Sequence, residues 1–329
     1  MYTLNDFINI TKFIENIYNF RLKEFINNNQ YLCELSINFF NVDELPDYTK
    51  EHVQESYLLK YSLAYSFEFY RMYNKIIDSL KDKGYINVLS LGCGSCIDYW
   101  SLCYTLYKKN INTKINYIGV DKIKWESNGI EEPFDKNNCE TNYKFNKRRK
   151  DNSYFLQSEI KDLENSININ NKCNEINNIL SNLDIIIFPR SIGDICDNEE
   201  NNEILKNIFN KAKNDKIFFL SSTFNQRDLN LFSNIIDNML NKLNIIKIKE
   251  EKMLCFEDAG GISAIDSYFQ YPDNIKEIYK DLCKYKDVEN KNCVKYDKDC
   301  SINESPILHS NKIKYSYCIF GKNNDNKRK

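Results

Sequence analysis

From residue 86 onward, short apolar runs of strand length alternate with segments of helical periodicity. The runs at 183–188 (LDIIIF) and 216–220 (KIFFL) are almost continuously apolar, which is typical of strands covered on both faces. Strands that alternate with helices predict an α/β fold with a doubly wound, mainly parallel sheet. Further runs bring the sheet to seven predicted strands, at 86–91, 115–120, 154–156, 245–249 and 312–320.

The rest of the chain is organised around this alternating region. Apolar residues at roughly helical spacing predict an N-terminal helical cap over residues 1–83. The α/β domain is expected over 84–322, with insertions at about 122–150 and 258–311 that lie over the strand ends. Charged residues dominate 323–329, which we expect to be a frayed tail.

Composition limits the partners and the chemistry. The 45 Lys and Arg residues against 47 Asp and Glu residues give a net charge of −2, so a whole-chain basic footprint for nucleic acid is absent, although a local patch stays open. No run approaches the roughly 18 apolar residues of a membrane span, and the N-terminus lacks a signal pattern, so we expect a cytoplasmic protein with no membrane partner. Only two histidines are present, His52 and His309, and we expect no metal site.

The strongest local motif is VLSLGCGSCIDYW at 88–100, where a strand enters a glycine turn and then a helix. Gly92 and Gly94 allow a sharp bend and let a ligand approach main-chain N–H groups at the start of the helix. The next predicted strand leads into Asp121, a position suited to binding the hydroxyl groups of a ribose. Together these residues predict an adenosine-containing ligand across the strand ends.

The glycine turn also bears on which ligand is bound. A dinucleotide such as NAD requires the pattern G-x-G-x-x-G, and Ile97 stands where the third glycine belongs, so an NAD-linked oxidoreductase is the weaker interpretation. The stretch instead resembles motif I of the class I (Rossmann-like) S-adenosylmethionine-dependent methyltransferases, with a resemblance that covers about residues 84–322. Two residues depart from the family pattern: Ser90 replaces a common acid, and Cys96 replaces a frequent small glycine.

The resemblance implies S-adenosyl-L-methionine as the cofactor and methyl transfer as the activity. It implies that Gly92, Cys93 and Gly94 approach the methionine part of the donor and that Asp121 holds its ribose. The site would be completed by residues after the third and fourth strands, with Ser158 and Glu159 bordering the adenine and Pro189, Arg190 and Ser191 lining the reaction face.

Three further residues are candidates for closing the site or for the reaction itself. Asp194 follows the fourth strand and would act as a general base or orient the acceptor; the alternative is an ordinary loop or capping acid. Tyr61 and Tyr65 share one face of the helix before the first strand. They would cover the cofactor, or else they are core aromatics with hydrogen-bonded hydroxyls.

The acceptor stays open among small molecules, proteins and RNA. A small or peptide-like acceptor is slightly favoured, because the two insertions predict a partly enclosed site. The main alternative function is a binding or scaffold protein that keeps the fold without turnover. Cys93 and Cys96 form a C-x-x-C, whose position inside the glycine turn explains the spacing without a redox role.

Overall fold

The computed structural model describes four main stretches of the chain. They are 46–125, 151–240, 245–255 and 314–322, without residues 197, 215 and 224–225, together with a few single residues elsewhere. Several predictions therefore lie outside the described residues: the cap before residue 46, most of the insertions at 122–150 and 258–311, and the tail at 323–329. Within the described stretches, no helix is long and apolar enough to cross a membrane.

A long helix, α1 at Glu51–Ile76, precedes the sheet. Its apolar residues surround the helix instead of forming one stripe, and most of its length is buried. Glu51 in the first turn and Lys75 in the last turn have the charges that the helix dipole favours. Side chains of α1 share one core with side chains of the sheet, so the described part of the predicted cap packs as a layer of the α/β domain.

Seven strands of the described residues form one sheet in the order β3-β2-β1-β4-β5-β7-β6. The strands β1 to β5 are parallel, and β7 runs antiparallel to both of its neighbours. This confirms the predicted doubly wound, mainly parallel, Rossmann-like sheet. The strand bounds are β1 Tyr85–Leu91, β2 Lys114–Asp121, β3 Asn152–Gln157, β4 Ile185–Pro189, β5 Phe218–Thr223, β6 Ile245–Cys255 and β7 Lys314–Lys322.

Six more α-helices are described between the strands. The short helices between β3 and β4, and the one directly after β4, were not predicted, because five to nine residues give too few turns for a clear helical period. The helices are α2 Ile97–Lys108, α3 Leu163–Asn168, α4 Cys173–Ser181, α5 Ile192–Cys196, α6 Glu199–Lys211 and α7 Gln226–Leu240.

The central strand β4 shows how the two faces of the sheet are covered. Ile185 and Ile187 pack into the core shared with α1 and α2, whereas Ile186 and Phe188 pack into the core on the opposite face. Successive side chains of a strand point to opposite faces, so a strand buried on both sides is apolar at every position. The apolar run of β4 is therefore explained by burial on both faces of the sheet, as the sequence predicted.

Candidate functional site

The strand order places a crevice between the ends of β1 and β4. From β1 the strands proceed towards β3 on one side, and from β4 they proceed towards β5 on the other, so the two following loops diverge. Ligands of open α/β sheets bind at such a point, outside the carboxyl ends of the strands. Because β1 and β4 pair in parallel, the predicted glycine turn and reaction face lie at the same edge.

The glycine loop, residues 92–96, follows β1 and requires glycine for two physical reasons. Gly92 and Gly94 have φ of 69° and 53°, in the left-handed region that residues with a Cβ disfavour. A Cβ on Gly92 would lie 2.3 Å from the Cβ of Ser191, so this side of the turn has no room for a side chain. The Gly92 amide donates to the carbonyl of Val120 at 2.8 Å, which ties the loop to β2.

Asp121, at the end of β2, is joined directly to the glycine loop. The Gly94 amide donates to Oδ2 of Asp121 at 2.8 Å, and the Ile123 amide donates to Oδ1 at 2.9 Å. Burial raises the pKa of Asp121 above its ordinary value, and the two amides oppose this rise. The structure thus brings together the two features that the sequence predicted to bind one ligand.

The thiols of Cys93 and Cys96 point into the protein beneath this loop. Their sulfur atoms are 3.7 Å apart, and a Cβ on Gly119 of β2 would lie 2.9 Å from the Cys93 sulfur. Burial raises the pKa of both thiols. The described residues contain no cluster of three His, Cys, Asp or Glu residues suited to a metal. Gly119 was not singled out from the sequence, although a glycine inside a strand signals a close approach of this kind.

The segment after β3 contacts the site through its backbone. The Ser158 amide donates to the Asp121 carbonyl at 2.9 Å, and its hydroxyl bonds the Glu159 carbonyl and the Ser166 hydroxyl, each at 2.8 Å. The side chain of Glu159 is exposed and pairs with Lys161 at 3.0 Å. Ser158 is therefore held beside Asp121, and the role of both residues at an adenine stays a prediction.

The reaction-face loop, residues 189–191 at the end of β4, has an unusual backbone. Arg190 has φ of 63°, and its amide donates to the Phe188 carbonyl at 2.9 Å, closing a very tight turn. A left-handed backbone is uncommon for a residue with a long side chain, and such strain concentrates at functional sites. The next residue, Ser191, donates its hydroxyl to the Leu91 carbonyl at 2.5 Å, which joins this loop to the end of β1.

The Arg190 side chain crosses to α1. Its Nη2 donates to Oε2 of Glu68, and its guanidinium lies 4.2 Å from the centre of the Tyr65 ring. The Arg190 and Glu68 side chains are only 5% and 1% exposed. Burial raises the pKa of Glu68, and the Arg190 charge opposes the rise. Glu68 was not predicted as a site residue, because no local pattern connects positions 122 residues apart.

Aromatic rings form a continuous row between the two loops. The ring of Trp125 lies against the backbone of Gly94, where an added Cβ would be 3.5 Å from the indole. Tyr57 is 5.7 Å from Trp125 and 5.0 Å from Tyr61 between ring centres. Tyr61 stacks on Tyr65 at 5.2 Å with an interplanar angle of 8°. Both predicted covering residues are buried in this row, and a role against the cofactor stays a prediction.

Asp194 lies in α5, close behind the reaction-face loop, and its side chain is exposed. Partial burial raises the pKa of Asp194, the Lys122 charge lowers it and the Asp228 carboxylate raises it further. Asp194 in turn raises the pKa of Asp121, so the two carboxyl groups face the same region. The position is compatible with a general base, and that role stays a prediction.

Another buried acid, Asp98, lies in the helix that follows the glycine loop. It is in the first turn of α2 and fully buried, and the Tyr117 hydroxyl reaches both of its oxygens at 2.9 and 3.0 Å. The Tyr73 hydroxyl donates to Oδ2 at 3.4 Å. Burial raises the pKa of Asp98 to about 6, against the opposing effect of the Tyr117 hydrogen bond.

No family model and no curated protein matches the chain. Solved structures that align with it include an S-adenosylmethionine-dependent methyltransferase from Archaeoglobus fulgidus, at 16% identity over 78% of this chain and 94% of that one, with a TM-score of 0.35. The plantazolicin methyltransferase BpumL aligns at 10% identity over 95% and 97% of the chains, with a TM-score of 0.38. A class I S-adenosylmethionine-dependent methyltransferase from Listeria monocytogenes aligns at 11% identity over 94% and 71%, with a TM-score of 0.37.

These structural neighbours are all described as methyltransferases. The sheet order and the glycine loop after β1 show the Rossmann-like fold in the described residues of this chain.

Proposed function

We propose that this chain transfers the methyl group of S-adenosyl-L-methionine to a small-molecule or peptide-like acceptor. One observation carries the proposal: the glycine loop after β1 and the carboxylate at the end of β2 are joined by the hydrogen bond from Gly94 to Asp121. The bond joins the loop after β1 to the end of β2, beside the crevice between β1 and β4 where open α/β sheets bind their ligands.

The residues at this crevice fit a nucleoside that bears an amino acid. Each carboxylate oxygen of Asp121 accepts a hydrogen bond from one backbone amide. A carboxylate oxygen has a second lone pair, which can accept a hydrogen bond from a ribose hydroxyl. The left-handed turn at Gly92 and Gly94 leaves both positions without a Cβ, and hydrogen bonds from their amides to Val120 and Asp121 hold the loop backbone in one shape beside the carboxylate. A pyrophosphate-binding loop has a third glycine in the pattern G-x-G-x-x-G, and this chain has Ile97 at that position. The loop therefore fits a dinucleotide less well.

Methyl transfer demands little chemistry from the protein. S-adenosyl-L-methionine supplies an electrophilic methyl group on a sulfonium, so binding and alignment of the two reactants provide most of the rate. In this chain, Asp121 and the glycine loop would hold the donor, and the reaction-face loop would hold the acceptor. A base is required only for an acceptor that must lose a proton, and Asp194 is the candidate for that step.

Calorimetric titration tests the ligand class directly. The full chain is titrated with S-adenosylhomocysteine, the demethylated donor, and in parallel with NADH. Binding of S-adenosylhomocysteine without binding of NADH is the expected result. The reverse pattern would replace the methyltransferase with an NAD-linked oxidoreductase.

Turnover needs a separate test, because a binding protein would also retain the donor. The chain is incubated with cell extract and with S-adenosyl-L-methionine labelled in the methyl group. Transfer of label to a small or peptide fraction is expected. Donor binding with no labelled product would favour the non-catalytic binding protein and reject the enzyme.

A further inference from the structure

The ion pair of Glu68 and Arg190 joins two elements that are far apart in the chain. Glu68 is in α1, before the sheet begins, and Arg190 follows the fourth strand. Both side chains are almost completely buried. A buried ion pair gives little net stability, because both charges lose their hydration. The pair therefore calls for an explanation other than general stabilisation of the fold.

The backbone of Arg190 supplies that explanation. Its left-handed conformation is strained for a residue with a side chain, and such strain persists only where the surroundings impose it. The guanidinium is held on one side by the Glu68 carboxylate and on the other by the face of the Tyr65 ring. Both partners belong to α1, so this helix determines where the side chain of Arg190 lies.

Arg190 is connected to the glycine loop through the next residue, Ser191. The Ser191 hydroxyl donates a hydrogen bond to the carbonyl of Leu91, which is the last residue of β1. The Cβ of Ser191 also occupies the space beside Gly92. A shift of Arg190 would therefore move Ser191, and with it the contact that limits the glycine loop on its reaction side.

We propose that Glu68 is a positioning residue, which acts through Arg190 to hold the reaction-face loop against the glycine loop. Glu68 itself contacts no predicted donor-binding residue other than Arg190 among the hydrogen bonds of the described residues. Its effect on the donor rests on the proposed function, whereas its effect on the loop does not. Hydrogen exchange without ligand measures the effect on the loop, and titration with S-adenosylhomocysteine measures the effect on the donor.

Hydrogen exchange measured by mass spectrometry reports the loop without any ligand. Glu68→Gln removes the charge but keeps the shape, and Glu55→Gln, a buried glutamate on the same helix, is the matched control. In Glu68→Gln we expect faster exchange in peptides covering residues 188–196 and 88–96. The control should exchange like the wild type. Wild-type exchange in both peptides of a folded Glu68→Gln variant would overturn the proposal.

A double variant separates positioning from the simple penalty of an unpaired buried charge. Glu68→Met with Arg190→Met removes both charges and retains apolar bulk, so it is expected to fold even if Glu68→Gln does not. If Glu68 positions the loop, exchange at 188–196 stays fast in this double variant. Restoration of wild-type protection by the double variant would show a merely structural pair and overturn the proposal.

Titration with S-adenosylhomocysteine then measures the consequence for the donor. Glu68→Gln is expected to lower the affinity about tenfold, the scale of coupling carried by a short chain of contacts, while Glu55→Gln binds like the wild type. Unchanged affinity in Glu68→Gln would overturn the link to the donor. If the wild type binds no S-adenosylhomocysteine, the proposed function fails, and the exchange result alone decides the positioning role.

Discussion

The two loops of the crevice are held by different kinds of interaction. The glycine loop is held mainly through its backbone amides. The Gly92 amide donates a hydrogen bond to the Val120 carbonyl, and the Gly94 amide donates one to the Asp121 carboxylate. The reaction-face loop is held mainly by side chains. Arg190 donates a hydrogen bond to Glu68, and the Ser191 hydroxyl donates one to the carbonyl of Leu91 at the end of β1. The proposed donor half of the site is thus built around a short sequence motif, and the proposed acceptor half from contacts across the fold.

The largest expected effect comes from a place where the two halves touch closely. In Gly92→Ala the new Cβ would meet Ser191 at 2.3 Å and the backbone would keep a φ of 69°. Overpacking and left-handed strain together predict a loss of about 4 kcal/mol in the free energy of unfolding, measured in urea. Gly84→Ala is the control, since nothing lies within 4 Å of its Cβ position.

Ser191→Gly in the Gly92→Ala background sharpens this test. Removing the Cβ of Ser191 relieves the overlap but leaves the backbone strain and deletes the hydroxyl bonded to Leu91. We expect partial recovery of the free energy of unfolding. Full additivity of the two substitutions would mean that the loops do not touch as described.

The next effect concerns Asp98, the buried acid in the first turn of α2. The pKa of Asp98 is raised to about 6 by burial, so its protonated form stabilises the fold, and that stability is lost as pH rises from about 4 through about 6. A shift of about two units corresponds to about 3 kcal/mol. Asp98→Asn should therefore gain about 3 kcal/mol relative to the wild type between pH 4 and pH 7.

Urea unfolding of both proteins across this pH range gives the measurement. Asp82→Asn, a change at an exposed carboxyl, is the control and should follow the wild type. A constant difference between Asp98→Asn and the wild type over the whole range would mean that Asp98 is already ionised at the low end.

A smaller effect is expected for the donor itself. Asp121→Ala removes the acceptor of two amides and the group proposed to bind the ribose. The affinity for S-adenosylhomocysteine should fall by about 2 kcal/mol, measured by calorimetry. Asp121→Asn, which keeps one oxygen, should lose less. Equal affinity in all three proteins would mean that the ribose is held elsewhere.

The smallest effect on donor binding is expected from the acceptor half. Asp194→Asn should leave the affinity for S-adenosylhomocysteine within about twofold, because the exposed Asp194 side chain is separate from the hydrogen bonds of the glycine loop. If Asp194 is the general base, the wild-type transfer rate rises with pH through its raised pKa, and the variant lacks this rise. A large loss of donor affinity in Asp194→Asn would remove the distinction between the halves.

The sequence by itself determined the alternation of strands and helices, the seven-stranded sheet and the placement of the glycine turn and Asp121 at the same strand ends. These features depend on short-range patterns: side chains that alternate along a strand, and glycines that permit a left-handed turn. Only the tertiary structure decided that Glu68 meets Arg190, that Trp125 lies against Gly94 and that the C-x-x-C packs on Gly119. The physical reason is that such contacts join residues far apart in the chain, whose packing no local periodicity records.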